Sequence, residues 1–181
     1  MSLPTPYYQE DGITIYHGDC RDILPHLPKF DLLLTDPPYG IDFCKGKDPN
    51  NPNESKFVGQ TISGDNEPFN PTQCLSASKV LLWGANYYCS SIPSYEGQWL
   101  VWDKRCQHAV NDFSDCEFAW ARGTGKEAAK IFYHWWDGYK KASERGVPRV
   151  HPTQKPIQVM TWCISLFADI DTIVDPYMGS G

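Results

Sequence analysis

The sequence lacks the long apolar runs of membrane proteins and the paired cysteines of secreted ones. No apolar stretch approaches the roughly 20 residues that a membrane-spanning helix needs. No signal-peptide pattern precedes the cysteines, which number seven and are irregularly spaced. An odd, irregular set favours free thiols over a disulfide framework. We therefore expect a soluble protein in the cytoplasm.

The chain also lacks an overall basic charge. Its 16 Lys and Arg residues are outnumbered by 22 Asp and Glu residues, and the net charge of −6 argues against a wholly basic nucleic-acid binder. The segment 122–155 is different, because it holds eight basic residues against three acidic ones. Such a segment is typical of a polyanion-binding surface and equally of a solvated protein face, and composition leaves both open.

A standard metal-binding spacing is missing as well. Cys106, His108 and Cys116 come nearest to one, but their spacing fits no zinc pattern and no fourth ligand is evident. We predict no metal site.

Alternating apolar, helix-like and turn-rich segments predict one α/β domain over residues 1–181, with a mostly parallel sheet. The run 30–40 is apolar until Pro37 and Pro38 stop it, which is typical of a strand buried on both faces. Residues 44–71 are rich in Asn, Pro, Gly and Lys and predict a long loop, either functional or flexible. Strands are predicted at 12–19, 30–40, 79–84, 98–104, 116–122, 130–134 and 172–175, and helices at 20–30, 71–78 and 151–170.

Three predicted strands carry an aspartate where they end, at Asp19, Asp36 and Asp175. In open α/β sheets, ligands bind at the carboxyl ends of the strands. A single aspartate there is often only a turn former. Three of them, two inside Asp-Pro, predict a binding site at that edge.

The stretch "TDPPYG", residues 35–40, is the most specific of these strand ends. Its prolines donate no N–H, so Asp36 and the Pro37 carbonyl can together accept both hydrogens of an exocyclic amine. Tyr39 can stack on the ring that bears the amine, which is worth roughly 1–3 kcal/mol per base. The alternative is a purely structural turn after a buried strand.

Three short motifs stand in a fixed order along the chain: "DPPYG" at 36–40, "HPTQKP" at 151–156 and "DPYMGSG" at 175–181. In this order they resemble the β-group of S-adenosylmethionine-dependent DNA amino-methyltransferases. The resemblance runs from about Ile13 to Gly181. It implies a circularly permuted, Rossmann-like three-layer sandwich, here expected to lack its C-terminal helix and strand.

The resemblance also assigns roles to residues of this chain. Asp19 is expected to accept a hydrogen bond from the cofactor's adenine amine, and Lys155 to pair with the cofactor's carboxylate. The catalytic motif corresponds to Asp36, Pro37, Pro38 and Tyr39. The cofactor-binding residues are expected to be Asp19, Cys20, His151, Thr153, Lys155, Asp175, Tyr177, Gly179 and Gly181. The basic segment 122–149 corresponds to target recognition, with DNA contacts from Arg122, Lys126, Lys130, Lys140, Lys141, Arg145 and Arg149.

The implied reaction is methylation of an exocyclic amine on a base flipped out of double-stranded DNA. An initial aspartate in the motif favours adenine N6 over cytosine N4. Cytosine-C5 chemistry is disfavoured, because no cysteine here follows a proline. RNA or protein-amide methyltransferases share a similar turn, but their glycine loop usually comes first. A truncated, inactive fragment, a homodimer and an accompanying restriction enzyme are all left open.

Overall fold

A six-stranded mixed β-sheet forms the centre of the molecule. The computed structural model describes residues 2–43, 59, 61–106, 114–136, 143–144, 146, 151 and 153–179. The sheet consists of β3 (Leu32–Thr35), β4 (Val80–Trp83), β5 (Gln98–Asp103), β6 (Cys116–Arg122), β7 (Lys130–Tyr133) and β8 (Ile173–Val174).

The strand order is β7-β5-β6-β4-β3-β8. β3 pairs in parallel with β4 on one side and with β8 on the other, and β5 pairs in parallel with β7. β6 runs antiparallel to both of its neighbours, β4 and β5. Six of the seven predicted strands are therefore present in this sheet. The sheet is mixed rather than mostly parallel, which is compatible with a Rossmann-like α/β fold.

The two central strands, β3 and β4, are buried on both faces. Every residue of both strands is buried. Leu34 and Leu81 pack on one face with α2 (Ile157–Ser165), while Leu33 and Leu82 pack on the other. Continuous apolar runs form such strands because side chains on both faces meet the core.

The segment 12–19 differs from its prediction. Its strand is only Ile13–Ile15 (β2), which pairs with Tyr8–Glu10 (β1) in a separate two-stranded antiparallel sheet. Asp19 therefore does not end a strand of the central sheet. It caps the short helix α1 (Cys20–Ile23), with its side chain accepting from the Arg21 N–H.

The helices are fewer and shorter than predicted. A single 3-10 turn at Leu24–His26 follows α1, because Pro25 enters there, and another at Cys74–Ser76 replaces the helix expected before β4. α2 begins directly after Pro156. Among the described residues, no helix is long and apolar enough to cross a membrane.

Candidate active site at the carboxyl edge of the sheet

Loops from three parallel strands meet at one edge of the sheet. They follow β3 at Asp36, β4 at Gly84 and β8 at Asp175. The Thr35 hydroxyl donates to the Asp175 carboxylate at 2.5 Å, which joins the ends of β3 and β8. The sequence thus placed Asp36 and Asp175 correctly at a shared edge, as expected for neighbouring parallel strands.

The Asp36 carboxylate is held through both of its oxygens. The Tyr39 hydroxyl donates to Oδ1 at 2.5 Å, and the Lys155 ammonium lies 2.6 Å from Oδ2. Lys155 also donates to the Tyr39 hydroxyl oxygen at 3.1 Å. Two of the predicted catalytic residues therefore form one hydrogen-bonded group with a residue that was expected at the cofactor.

Lys155 bridges Asp36 to a second carboxylate, that of Glu117. Its side chain is only 6% exposed, and its Nζ lies 3.2 Å from Glu117 Oε2. The other Glu117 oxygen accepts from Lys104 at 3.0 Å. The motifs gave no signal for Glu117 or Lys104. They reach this edge because β6 runs antiparallel to β4 and β5, so that β6 begins where β5 ends.

The pKa values in this group follow from burial and opposite charges. Burial alone would lower the pKa of Lys155, but Asp36, Tyr39 and Glu117 outweigh it and raise that pKa well above its usual value. Burial would raise the pKa of Glu117, but the two lysines outweigh it and lower that pKa. Burial raises the pKa of Tyr39. Near neutral pH, Lys155 is therefore protonated, Glu117 is ionised and Tyr39 is neutral.

The Tyr39 ring is fixed by the turn after β4. A β-carbon on Gly84 would lie 2.1, 2.2 and 2.5 Å from three carbons of the ring, so only glycine allows the ring to pack there. Tyr87, which is 55% exposed, stacks on Tyr39 with centroids 5.2 Å apart and planes 18° apart. The Tyr39 ring is thus held at the rim of the site by its contacts with Gly84 and Tyr87.

Asp65 anchors the backbone of the loop after β3. It is 2% exposed, and its carboxylate accepts from the Gly40 N–H at 2.8 Å and the Phe43 N–H at 2.7 Å. It lies within the segment that was predicted as a functional or flexible loop, of which residues 44–58 and 60 lie outside the described residues. Composition offered no signal for it, because an aspartate in a Gly- and Asn-rich stretch is common.

The start of α1 and the loop after β8 come together. Burial and the neighbouring Cys20 side chain raise the pKa of Tyr177, whose ring meets Phe69 edge-on at 5.5 Å. Asp19 binds the Arg21 guanidinium at 2.9 Å, which lowers the pKa of Asp19 to about 2. The predicted cofactor residues Asp19, Cys20 and Tyr177 are therefore neighbours, although the sequence pattern alone did not show the ion pair.

The "HPTQKP" segment enters the same edge ahead of α2. His151 Nδ1 lies 3.1 Å from the Thr153 hydroxyl, and Lys155 points to Asp36. Gly179 adopts a φ of +64°, which favours glycine. Among the described residues, the Tyr177 carbonyl oxygen at 3.9 Å is the nearest atom to a β-carbon built there. Gly181 lies outside the described residues.

The predicted DNA-contacting residues fall into two groups. Lys126 and Lys130 are exposed near the turn between β6 and β7. Arg122 instead donates to the carbonyl oxygens of Leu75 at 2.6 Å and Ala77 at 2.8 Å, so it ties down the loop before β4. The remaining predictions, together with the histidine of the rejected metal spacing, lie outside the described residues: Lys140, Lys141, Arg145, Arg149 and His108.

Comparison with known proteins gives a partial similarity. No family model matches the chain. Over 42 residues, the chain is 43% identical to the type II methyltransferase M.ScaI of Streptomyces caespitosus. The match spans 22% of this chain and 14% of that relative, so the chain covers about one seventh of the curated protein it matches.

Proposed function

We propose that the chain is an S-adenosylmethionine-dependent DNA amino-methyltransferase of the permuted β-group, acting most readily on adenine N6. The ordered motifs and the partial similarity to a type II methyltransferase support methyl transfer. The observation that carries the proposal is the placement of Asp36 and Tyr39 at the end of β3, beside the loop after β8.

The residues at this edge suit such a cofactor. Gly179, in the loop after β8, carries no side chain, so a ligand can approach the backbone closely there. Tyr177, Cys20 and Asp19 lie together beside it and offer an aromatic ring and acceptor oxygens. We assign cofactor binding to this group with His151 and Thr153. When bound, S-adenosylmethionine supplies an electrophilic methyl group.

Asp36 and the Pro37 carbonyl are the acceptors for the target amine. Each carboxylate oxygen has two lone pairs, so Asp36 can accept an amine hydrogen while it keeps its bonds to Tyr39 and Lys155. Accepting both amine hydrogens draws the nitrogen lone pair out of conjugation with the ring. Positioning then supplies most of the rate enhancement, because the methyl group is already activated.

Methyl transfer is tested with tritium-labelled S-adenosylmethionine and unmethylated bulk DNA. We expect label in the DNA with the wild-type chain and none with Asp36→Ala. Asp171→Ala is the matched control, because Asp171 is exposed and lies before β8, at the opposite edge of the sheet. Full activity in Asp36→Ala would overturn the catalytic assignment.

The base is identified by digesting the labelled DNA to nucleosides. We expect N6-methyladenine, and N4-methylcytosine would move the chain to the other branch of the same class. Cofactor binding has its own test by thermal unfolding. At a ligand concentration of 100 times Kd, a saturable site adds roughly 2.7 kcal/mol to stability, and the absence of any shift would contradict a cofactor site in this chain.

We also propose a partner, a cellular role and an oligomeric state for the protein. Double-stranded DNA is the proposed partner, with Lys126 and Lys130 on the surface that meets its phosphates. We propose a role in DNA modification in the cytoplasm, as in a restriction-modification system. A homodimer is tested by the mass of the particle in solution.

A further inference from the structure

We infer that Lys155 and Glu117 act together as a positioning pair for Asp36, and that Lys155 does not hold the cofactor's carboxylate. The inference rests on the proposed function, because Asp36 is the acceptor for the target amine. It assigns a role to Glu117, which no sequence motif indicated, and it replaces the role that the resemblance implied for Lys155.

Every hydrogen-bond donor of Lys155 has an acceptor within the protein. A lysine ammonium has three N–H donors and no acceptor. Three oxygen atoms already surround Nζ: Asp36 Oδ2 at 2.6 Å, the Tyr39 hydroxyl at 3.1 Å and Glu117 Oε2 at 3.2 Å. All three donors have acceptors inside the protein, so none is left for a cofactor carboxylate.

Lys155 is also held rigidly in place by burial. The Lys155 side chain is 6% exposed, and its ammonium lies 5.0 Å from the centre of the Trp83 ring, which is fully buried in β4. A charge in that place needs partners, because burying an unpaired ammonium is costly. Lys155 therefore stays where Asp36 and Glu117 hold it.

Glu117 links two lysines. Its two oxygens are divided between Lys155 and Lys104, and its side chain is 28% exposed. Lys104 follows β5 and Lys155 precedes α2. Because Glu117 binds one lysine with each oxygen, its carboxylate fixes the distance between these two segments. The chain of alternating charges runs Lys104, Glu117, Lys155, Asp36 and ends at the Tyr39 hydroxyl.

This arrangement fixes where Asp36 presents its free lone pairs. Lys155 and Tyr39 each bind one oxygen, so the carboxylate cannot rotate. Without Glu117, the Lys155 ammonium loses one of its two carboxylate partners. It can then bind Asp36 in more than one orientation. Among the described residues, Tyr88 after β4, Asp175 after β8 and Cys163 in α2 are further titratable groups that interact with Lys155.

The kinetic test compares Glu117→Gln and Lys155→Met with the wild-type chain. We expect kcat to fall about 10- to 100-fold in both, because small misplacements of a reacting group have effects of that size. The Kd for S-adenosylmethionine should stay unchanged, and Lys155→Arg should recover part of kcat by keeping the charge. Glu10→Gln in β1 is the matched control, since Glu10 is exposed and belongs to the separate hairpin.

The opposite split would overturn the inference. If Lys155→Met weakens S-adenosylmethionine binding while kcat is retained, Lys155 serves the cofactor as the resemblance implied. If Glu117→Gln keeps the wild-type kcat, Glu117 has no positioning role.

A measurement without turnover separates this inference from the proposed function. The chain is labelled with carbon-13 at lysine Cε, and the Lys155 signal is assigned by its loss in Lys155→Arg. We expect Lys155 to keep its charge above pH 10.5, the ordinary lysine value, and to titrate at lower pH in Glu117→Gln. Identical titration in both proteins would refute the pair, whereas a failure to methylate DNA with this difference intact would refute only the proposed function.

Discussion

Gly84 and the Tyr39 ring are in direct contact, and no larger residue fits between them. A β-carbon at position 84 would stand 2.1 Å from the nearest ring carbon. The backbone of Gly84 also has a φ of +70°, a conformation that side chains other than hydrogen rarely adopt. The glycine after β4 therefore sets the position of the Tyr39 ring in the proposed catalytic motif.

We predict that Gly84→Ala displaces Tyr39, lowers activity and destabilises the fold by about 2–4 kcal/mol, from overpacking and backbone strain together. Urea unfolding and the methyl-transfer assay measure the two effects. Gly125→Ala is the control, because Gly125 has a similar φ of +72° with nothing within 4 Å of its β-carbon. Equal losses in both variants would show that the contact with Tyr39 has no importance of its own.

Asp65 gives a second prediction, for the backbone of the loop after β3. Asp65→Ala removes the acceptor for the Gly40 and Phe43 N–H groups. We expect a loss of about 1–3 kcal/mol in unfolding free energy, because buried donors are left unsatisfied. Asp65→Asn keeps one acceptor oxygen and should lose less. Hydrogen exchange at Gly40 should quicken in Asp65→Ala, and unchanged exchange would contradict the anchoring role.

The two groups of basic residues should respond differently to substitution. Lys126→Gln and Lys130→Gln should each weaken DNA binding and reduce the salt dependence by about one ion, with stability unchanged. Arg122→Gln should lower stability by about 1–3 kcal/mol, because Arg122 donates to two carbonyl oxygens. DNA titrations at several salt concentrations and urea unfolding distinguish these outcomes. If the salt dependence of DNA affinity is unchanged in both lysine variants, Lys126 and Lys130 do not contact DNA.

The pH dependence of stability should carry the signature of Glu117. Its pKa is lowered in the folded state, so its stabilisation is present above the ordinary glutamate value of 4.5 and is lost as the pH falls through the lowered pKa. Lys155 has a raised pKa, so its contribution is present below 10.5 and is lost at higher pH, as the pH rises through the raised pKa.

Urea unfolding of the wild type and Glu117→Gln across the acid range measures this contribution. We expect a shallower loss of stability with falling pH in the variant, because its amide does not titrate. Glu10→Gln should follow the wild type. Parallel curves for the wild type and Glu117→Gln would contradict the paired state of Glu117.

Local sequence determined the elements that carry the proposed catalytic motif. An apolar run ended by two prolines forms β3 and its turn, because every side chain of that strand is buried and proline cannot continue the ladder. The same reasoning located β4, β5, β6 and β8. It also placed Asp36 and Asp175 at one edge, since neighbouring parallel strands end together.

Only the tertiary structure decided which side chains complete the site. The direction of β6 brings Glu117 to Lys155, and strand direction depends on pairing between distant segments rather than on local pattern. The short strand before Asp19 looked like part of the central sheet, but it pairs locally in a hairpin. Lys155 and Asp36 were both visible as motif residues, yet their pairing was not, because an ion pair across 119 residues depends on packing that no spacing along the chain records.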